Sequence, residues 1–176
     1  MTNRFALKQA THDFHQDLDS RISRLDLSRD EDYRAFLKLH ARAVPPIECG
    51  LAHAGLSHWV AGWNKDGRSL HIATDLAALG ESMPRSSPAP EFDSIGAMLG
   101  AAYVLEGSRL GARVLRRQVG DGLPTDYLND RSLDRWPEVA AAIEKHLNTD
   151  GRVSDAKDAA RFCFGIFLDA AREAGL

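Results

Sequence analysis

The sequence has no excess of positive charge and no long apolar run. With 22 Lys and Arg against 25 Asp and Glu, its formal net charge is -3. It therefore lacks the basic surface that nucleic-acid binding requires, and nucleic acid is not expected as a partner. No apolar stretch approaches the about 20 residues of a membrane span, and the initial segment MTNRFALKQATHDFHQDLDS is too polar for a signal peptide. We expect a cytoplasmic protein with no membrane span.

Cysteine is also scarce, because the chain contains just Cys49 and Cys163. The two are far apart in sequence, and neither belongs to a CxxC motif. We expect both to be small core side chains rather than a disulfide or a metal pair, which suits a reducing compartment.

No segment shows the alternation of β-branched and polar residues that a half-buried strand needs. Helical periodicity dominates the 176 residues, a length that fits one domain. The sequence therefore predicts a single all-α domain over residues 1–176. The predicted helices cover about residues 4–25, 28–53, 70–79, 94–119 and 137–147, and a last one starts near residue 154.

Several residues predict where these helices begin or break. Ser28 and Glu31 have the spacing of a capping box, and Pro45 with Pro46 should interrupt or kink the second helix. Asp93 or Ser94 can cap the fourth helix. Pro137 suits a first helical turn, and Ser154 can cap the last helix, which contains the aromatic segment RFCFGIF.

The fourth predicted helix carries an unusual set of glycines within GAMLGAAYVLEGSRLGARVL. On an ideal helix, Gly100, Gly107 and Gly111 lie at about 40°, 20° and 60° from Gly96, so all four share one face. Each costs roughly 1 kcal/mol of helix propensity relative to alanine. Two explanations stay open: another helix approaches this bare face closely, or a flat ligand lies against it, with a kink near Gly107.

The first predicted helix offers His12 and His15, and helical geometry makes His15 the more inward of the two. Leu18 and Ile22 lie within about 60° of it, and Lys8 lies about 10 Å away along the axis on a similar bearing. A lone inward histidine is more often a core residue than a ligand. The spacing of His12 and His15 also suits zinc, but no further ligand set completes such a site.

Taken together, LKQATHDFHQDLD and the later YVLEGSRLGARVL resemble the heme oxygenases, especially the short bacterial ones. The resemblance implies a helical bundle with heme between the first helix and a kinked, glycine-rich distal helix. It also implies roles for individual residues. His15 would ligate the iron, and the propionates would lie near Lys8, Tyr103 and Arg117. The heme would approach the helix closely at Gly107 and Gly111. Phe162 would lie near the heme pocket.

The resemblance further implies an activity, the oxidative opening of heme to biliverdin, carbon monoxide and ferrous iron. Heme would be both substrate and cofactor, O2 the oxidant, and a ferredoxin or reductase the electron donor. Gly107, Ser108 and Gly111 would form the catalytic distal segment. Mammalian members have aspartate at the position of Ser108, whereas bacterial members with Gly-Ser-x-Leu-Gly catalyse the same reaction. A bacteriophytochrome is one acceptor of the biliverdin that the resemblance suggests.

Three other functions stay open from the residues alone. The first is a non-catalytic heme carrier or sensor that uses the same His15. The second is a different enzyme on the same bundle, such as a thiaminase-like hydrolase, which would need a nucleophilic cysteine with acidic partners. The third is a structural bundle in which the glycine face only packs helices.

Overall fold

The computed structural model describes residues 2–63, 67–129 and 135–176, apart from the side chains of Leu110 and Arg113. Within these residues the regular secondary structure is entirely helical, which confirms the predicted all-α class. The α-helices are α1 (Asn3–Ala10), α2 (His12–Ile22), α3 (Asp30–Ala54), α4 (Gly67–Ala78), α5 (Ile95–Arg116), α6 (Asp126–Asn129), α7 (Trp136–His146) and α8 (Asp150–Glu173), and a 3-10 turn covers Leu56–His58.

The predicted first helix is divided into α1 and α2 at Thr11, so the prediction of one continuous helix was wrong. The buried Thr11 side chain donates a hydrogen bond to the carbonyl of Leu7 at 2.9 Å, a contact that bends helices. Helical hydrogen bonding continues past Thr11, because the His15 amide donates to the Thr11 carbonyl at 2.9 Å.

The long helix α3 continues through Pro45 and Pro46, so of the two predicted outcomes, an interruption or a kink, the interruption was wrong. Val44, Pro46 and Ile47 are buried, and this packing offsets the amide hydrogen bonds that the prolines cannot make. The predicted capping box is absent as well. The hydroxyl of Ser28 instead donates to the Asp26 carboxylate at 2.6 Å, two residues ahead of the first helical residue.

The two longest helices of the site region, α5 and α8, pack directly against each other. Ser94 caps α5 by accepting from the amide of Ala97 at 3.1 Å, as predicted. The last helix begins earlier than expected and is capped by Thr149, so the prediction of Ser154 as its cap was wrong. Because α8 also contacts α1, α2 and α3, it forms the centre of the bundle.

The cysteines have different environments. Cys163 is buried in α8 as predicted, but Cys49 is exposed on α3, which corrects the expectation that both are core residues. No described helix is both long enough and apolar enough to cross a membrane.

Candidate functional site

His15 lies in the first turns of α2 with its side chain 60% exposed. Its Nδ1 lies 2.9 Å from the carboxylate of Asp19, four residues along the same helix. Its ring meets the ring of Phe164 of α8 edge-on, with centroids 5.8 Å apart. A carboxylate at Nδ1 fixes the tautomer of a histidine and leaves Nε2 as the ligating atom, which is the usual arrangement of metal-binding imidazoles.

Asp19 is a residue that sequence reasoning missed as a partner of His15. On an ideal helix it lies about 40° from His15, closer in angle to His12, and was not assigned to either. The spacing of four residues was the available signal, since such pairs are neighbours on a helix surface. Among the described residues, no group of three or more His, Cys, Asp or Glu is arranged to hold a metal ion by itself.

The glycine face of α5 divides into two pairs with different surroundings. A Cβ added at Gly96 would lie 2.4 Å from the Arg152 carbonyl oxygen, and one at Gly100 would lie 2.1 Å from that of Ala156. These two glycines therefore allow α8 to approach. A Cβ at Gly107 would lie 3.5 Å from the Trp136 ring, an ordinary contact, and one at Gly111 would meet nothing within 4 Å. Helix packing thus explains the first pair and leaves the second pair unexplained.

Tyr103 connects the glycine-rich helix to the bend in the amino-terminal helices. Its hydroxyl hydrogen-bonds with the side chain of Thr11, and its ring lies 5.8 Å from that of Trp136. Burial raises the pKa of Tyr103, and the hydrogen bond with Thr11 acts in the opposite direction. The side chain therefore joins the element that carries His15 to the element that carries Gly107.

The remaining predicted ligand residues are more dispersed. Lys8 on α1 and Arg117, just beyond α5, are exposed. Phe162 is 55% exposed and lies about 200° around α8 from Phe164. It lines a cleft of about 750 Å³ together with Arg42, Arg85 and Ile166. The structure therefore places Phe164, and not Phe162, beside His15.

A polar network beneath α5, buried except at Ser108, was also missed by sequence reasoning. Arg68, on α4, donates from Nη1 to the Leu105 carbonyl at 2.5 Å and to the Ser108 hydroxyl at 2.7 Å. Its Nη2 donates to the Tyr127 hydroxyl at 2.6 Å. The Glu48 carboxylate accepts from the backbone amide of Arg68 at 3.0 Å. We call these five residues the Arg68 network. No spacing in the sequence connects them, because they come from α3, α4, α5 and α6.

Glu106 is the acidic member of the same region of α5. It is 2% exposed and pairs with Arg109 at 2.7 Å. Burial raises the pKa of Glu106, while the charges of Arg109 and Arg68 lower it. A sequence signal existed for this residue, since Glu106 is the first charged residue after the uncharged run IGAMLGAAYVL.

The fold places this chain in the class of helical bundles typified by heme oxygenases. The structure of the heme oxygenase from Neisseria meningitidis, solved with NO and CO bound, superposes with a TM-score of 0.83. The match covers 100% of this chain and 94% of that chain at 22% sequence identity. At that identity the likeness establishes the fold.

A curated relative establishes the family. The chain is 30% identical over 149 residues to a heme oxygenase of Xanthomonas campestris pv. campestris (strain 8004), covering 78% of this chain and 87% of the relative. No family model matches the sequence. On the similarity to this relative, the chain belongs to the heme oxygenase family.

Proposed function

We propose that this protein opens heme oxidatively to biliverdin, carbon monoxide and ferrous iron at a site formed by α2 and α5. Membership of the heme oxygenase family supports heme degradation by an oxygenase. The observation that carries the assignment of the site is His15, whose Nδ1 is held by Asp19 so that Nε2 can ligate iron.

The residues present fit a heme. Nε2 of His15 would hold the iron, and the space over Gly111 and beside Gly107 would admit a flat macrocycle against the α5 backbone. The propionates would interact with the cationic side chains of Lys8 and Arg117 and with the hydroxyl of Tyr103. Bound heme supplies the iron that activates O2 and the ring that is oxidised, with the distal surroundings deciding between binding and activation.

The chain's own side chains have separate tasks in this proposal. Asp19 holds the proton at Nδ1 of His15 and so keeps Nε2 basic. Phe164 supports the imidazole ring from α8. The hydroxyl of Ser108 donates to the Leu105 carbonyl at 2.8 Å and accepts from Arg68, so an oxygen lone pair stays available at the edge of the open segment.

Electrons come from an external donor, for which a ferredoxin or a reductase is the expected class, and the reaction takes place in the cytoplasm. The reaction would serve one of two purposes. It would supply biliverdin to a bacteriophytochrome, or it would release iron from heme. No described feature favours the non-catalytic carrier over the enzyme.

Hemin titration of two histidine variants tests the site. We expect His15→Ala to remove most of the Soret shift that accompanies hemin binding and His12→Ala, the matched control on the same helix, to leave it intact. The reverse pattern would move the ligand to His12.

Product identification tests the reaction. With hemin, a reductant and O2, the wild-type protein is expected to yield a bilin absorption band and carbon monoxide. A stable reduced complex without bilin would favour the carrier, and failure to bind hemin would favour a structural bundle.

A further inference from the structure

Arg68 is a buried cation, and two of its side-chain hydrogen bonds reach a single turn of α5. Its side chain is aimed from α4 at the Leu105 carbonyl and the Ser108 hydroxyl, 2.5 and 2.7 Å away. The residue as a whole is 5% exposed. A guanidinium out of water is tolerated where its donors are satisfied, and here two of its bonds go to residues 105–108 of the glycine-rich helix.

Two buried carboxylates hold the elements that aim this guanidinium. Glu48 of α3 accepts from the amides of Arg68 and Ser69 at 3.0 and 3.1 Å, and so caps the first turn of α4. Asp75 accepts from the amides of Asp126 and Tyr127 at 2.9 and 3.0 Å, and so caps α6. Glu48 and Asp75 therefore fix both the backbone of Arg68 and the aromatic residue that supports its side chain.

Tyr127 supports Arg68 in two ways. Its hydroxyl accepts from Nη2 at 2.6 Å, and its ring lies 5.1 Å from the guanidinium carbon. This contact leaves the other edge of the guanidinium fork facing α5. Because the fork is planar and rigid, the position of Tyr127 sets the direction in which Nη1 points.

The turn at residues 105–108 precedes a segment whose glycine face is open at Gly111, while Ala112 and Leu115 pack against the core. Gly107 has an ordinary contact with Trp136, and Gly111 has open space where a side chain would be. A helix segment without side chains on one face can shift more easily than a packed one.

We propose that Arg68 is a positioning residue that fixes the turn of α5 at residues 105–108 and orients the Ser108 hydroxyl at the edge of the heme site. Arg68 donates to Ser108, and Ser108 donates to Leu105, so the hydroxyl faces the site as an acceptor. The chain thereby anchors a short, neutral side chain at this turn of α5. The orientation of Ser108 toward heme rests on the proposed function. The anchoring of residues 105–108 does not, because Arg68 makes these hydrogen bonds in the protein without heme.

Hydrogen exchange of the heme-free protein tests the anchoring. We expect Arg68→Gln to raise the amide exchange rate in peptides covering residues 104–112 several-fold and Ser108→Ala to raise it less, because Ser108→Ala keeps the Leu105 contact. Tyr33→Phe is the matched control, since it removes a hydrogen bond to the Pro124 carbonyl, 2.8 Å long, that does not involve residues 104–112. Unchanged exchange at residues 104–112 in both Arg68→Gln and Ser108→Ala would overturn the proposal, and so would an equal rise in Tyr33→Phe.

The pH midpoint of the visible spectrum of the ferric hemin complex tests the orientation of Ser108. We expect Arg68→Gln and Ser108→Ala each to shift the midpoint and the double variant to shift it no further than the larger single shift, because both changes break the same link. Additive shifts would overturn the orientation role. Should Arg68→Gln fail to fold, Tyr127→Phe replaces it in both measurements, with the same expected direction. Should the wild type fail to bind hemin, the proposed function falls, while the exchange data still decide on the anchor.

Discussion

His15 and Asp19 form a pair four residues apart on α2, in which the carboxylate faces Nδ1 and leaves Nε2 as the free ring nitrogen of the proposed ligand. The pair lies on the surface of α2, with both side chains more than half exposed. Helical patterns predicted an inward-facing His15, which its 60% exposed side chain shows to be wrong, whereas its proposed role as a ligand came from the resemblance to the heme oxygenases. The helical patterns did not assign its carboxylate, because two histidines compete for Asp19 in a helical projection.

Replacing Asp19 tests how much the carboxylate contributes. We expect Asp19→Ala to weaken hemin binding about tenfold or more, as loss of an outer-shell partner of a metal-ligating histidine commonly does. Asp13→Ala, on the same helix and with the same change of charge, is the control and should change hemin affinity little. Equal losses in the two variants, measured by hemin titration, would reduce the role of Asp19 to general electrostatics.

His40 gives the molecule a pH-dependent stability. It is buried on α3, its Nδ1 donates to the Phe36 carbonyl at 2.8 Å, and the two rings lie 4.2 Å apart. Burial, together with the nearby charge of Arg68, lowers the pKa of His40 to about 4, while the hydrogen bond to Phe36 opposes that shift. The native protein therefore keeps this imidazole neutral where the unfolded chain protonates it.

The free energy of unfolding should fall as the pH drops. The unfolded histidine takes up its proton near pH 6.5, so stability is lost between about pH 6.5 and pH 4 and the loss levels off below. The whole effect is at most about 3 kcal/mol for a shift of this size. We expect urea unfolding at pH 7 and pH 5 to show a larger loss for the wild type than for His40→Leu. Equal losses would mean that other groups carry the pH dependence.

At the scale of elements, α5 shows one sequence pattern serving two environments. Its four glycines share a face, as helical geometry predicts, yet Gly96 and Gly100 contact the backbone of α8 while Gly111 faces open space. The sequence contains no signal for this division, because it depends on where α8 crosses α5. The crossing joins residues that are more than fifty positions apart in the chain, such as Gly100 and Ala156.

The same substitution at two of these glycines should have opposite effects on stability. Gly100→Ala would push α5 away from the Ala156 carbonyl, at a cost of about 3 kcal/mol, as expected for an overpacked interior. Gly111→Ala would meet nothing and gain roughly 1 kcal/mol of helix propensity. Urea unfolding of both variants is the measurement. Destabilisation by Gly111→Ala would show that its face is packed.

At the scale of the whole molecule, α8 holds the two halves of the candidate site in register. It contacts both α2 and α5. Phe164 of α8 contacts His15, and the backbone carbonyls of Arg152 and Ala156 face the glycines at the start of α5. The cleft on its other flank, with Phe162, belongs to a separate surface. The aromatic segment RFCFGIF predicted a packed final helix. Within it, Phe164 contacts His15, whereas Phe162 lines the separate cleft.

The two cysteines report on global unfolding. Cys49 is exposed, whereas Cys163 is buried in α8 and burial raises the pKa of its thiol, so its reactive thiolate is scarce. We expect a thiol reagent to label Cys49 rapidly in the native protein and Cys163 only at the rate of unfolding. Cys49→Ser is the control that leaves the slow phase alone, and rapid labelling of Cys49→Ser would mean that α8 opens locally.

The errors in helix boundaries have a common physical cause. A capping box at Ser28, a break at Pro45 and a cap at Ser154 are all local preferences, and each was overruled by longer-range contacts or by a competing local partner. The bend at Thr11 arises from a buried threonine whose hydroxyl returns to the Leu7 carbonyl, which burial favours and a helical pattern does not reveal.

The sequence by itself determined the all-α class and the shared face of the glycines, because these depend on helical periodicity and on residues close together in the chain. The tertiary structure alone decided which glycines meet α8, which phenylalanine meets His15, and that Arg68 meets the turn of α5 beside Ser108. Those contacts depend on how helices dock, and docking is set by packing between residues far apart in sequence. Ser108 illustrates both cases. Its position on α5 follows from nearby sequence, whereas its hydrogen bond with Arg68 joins residues forty positions apart.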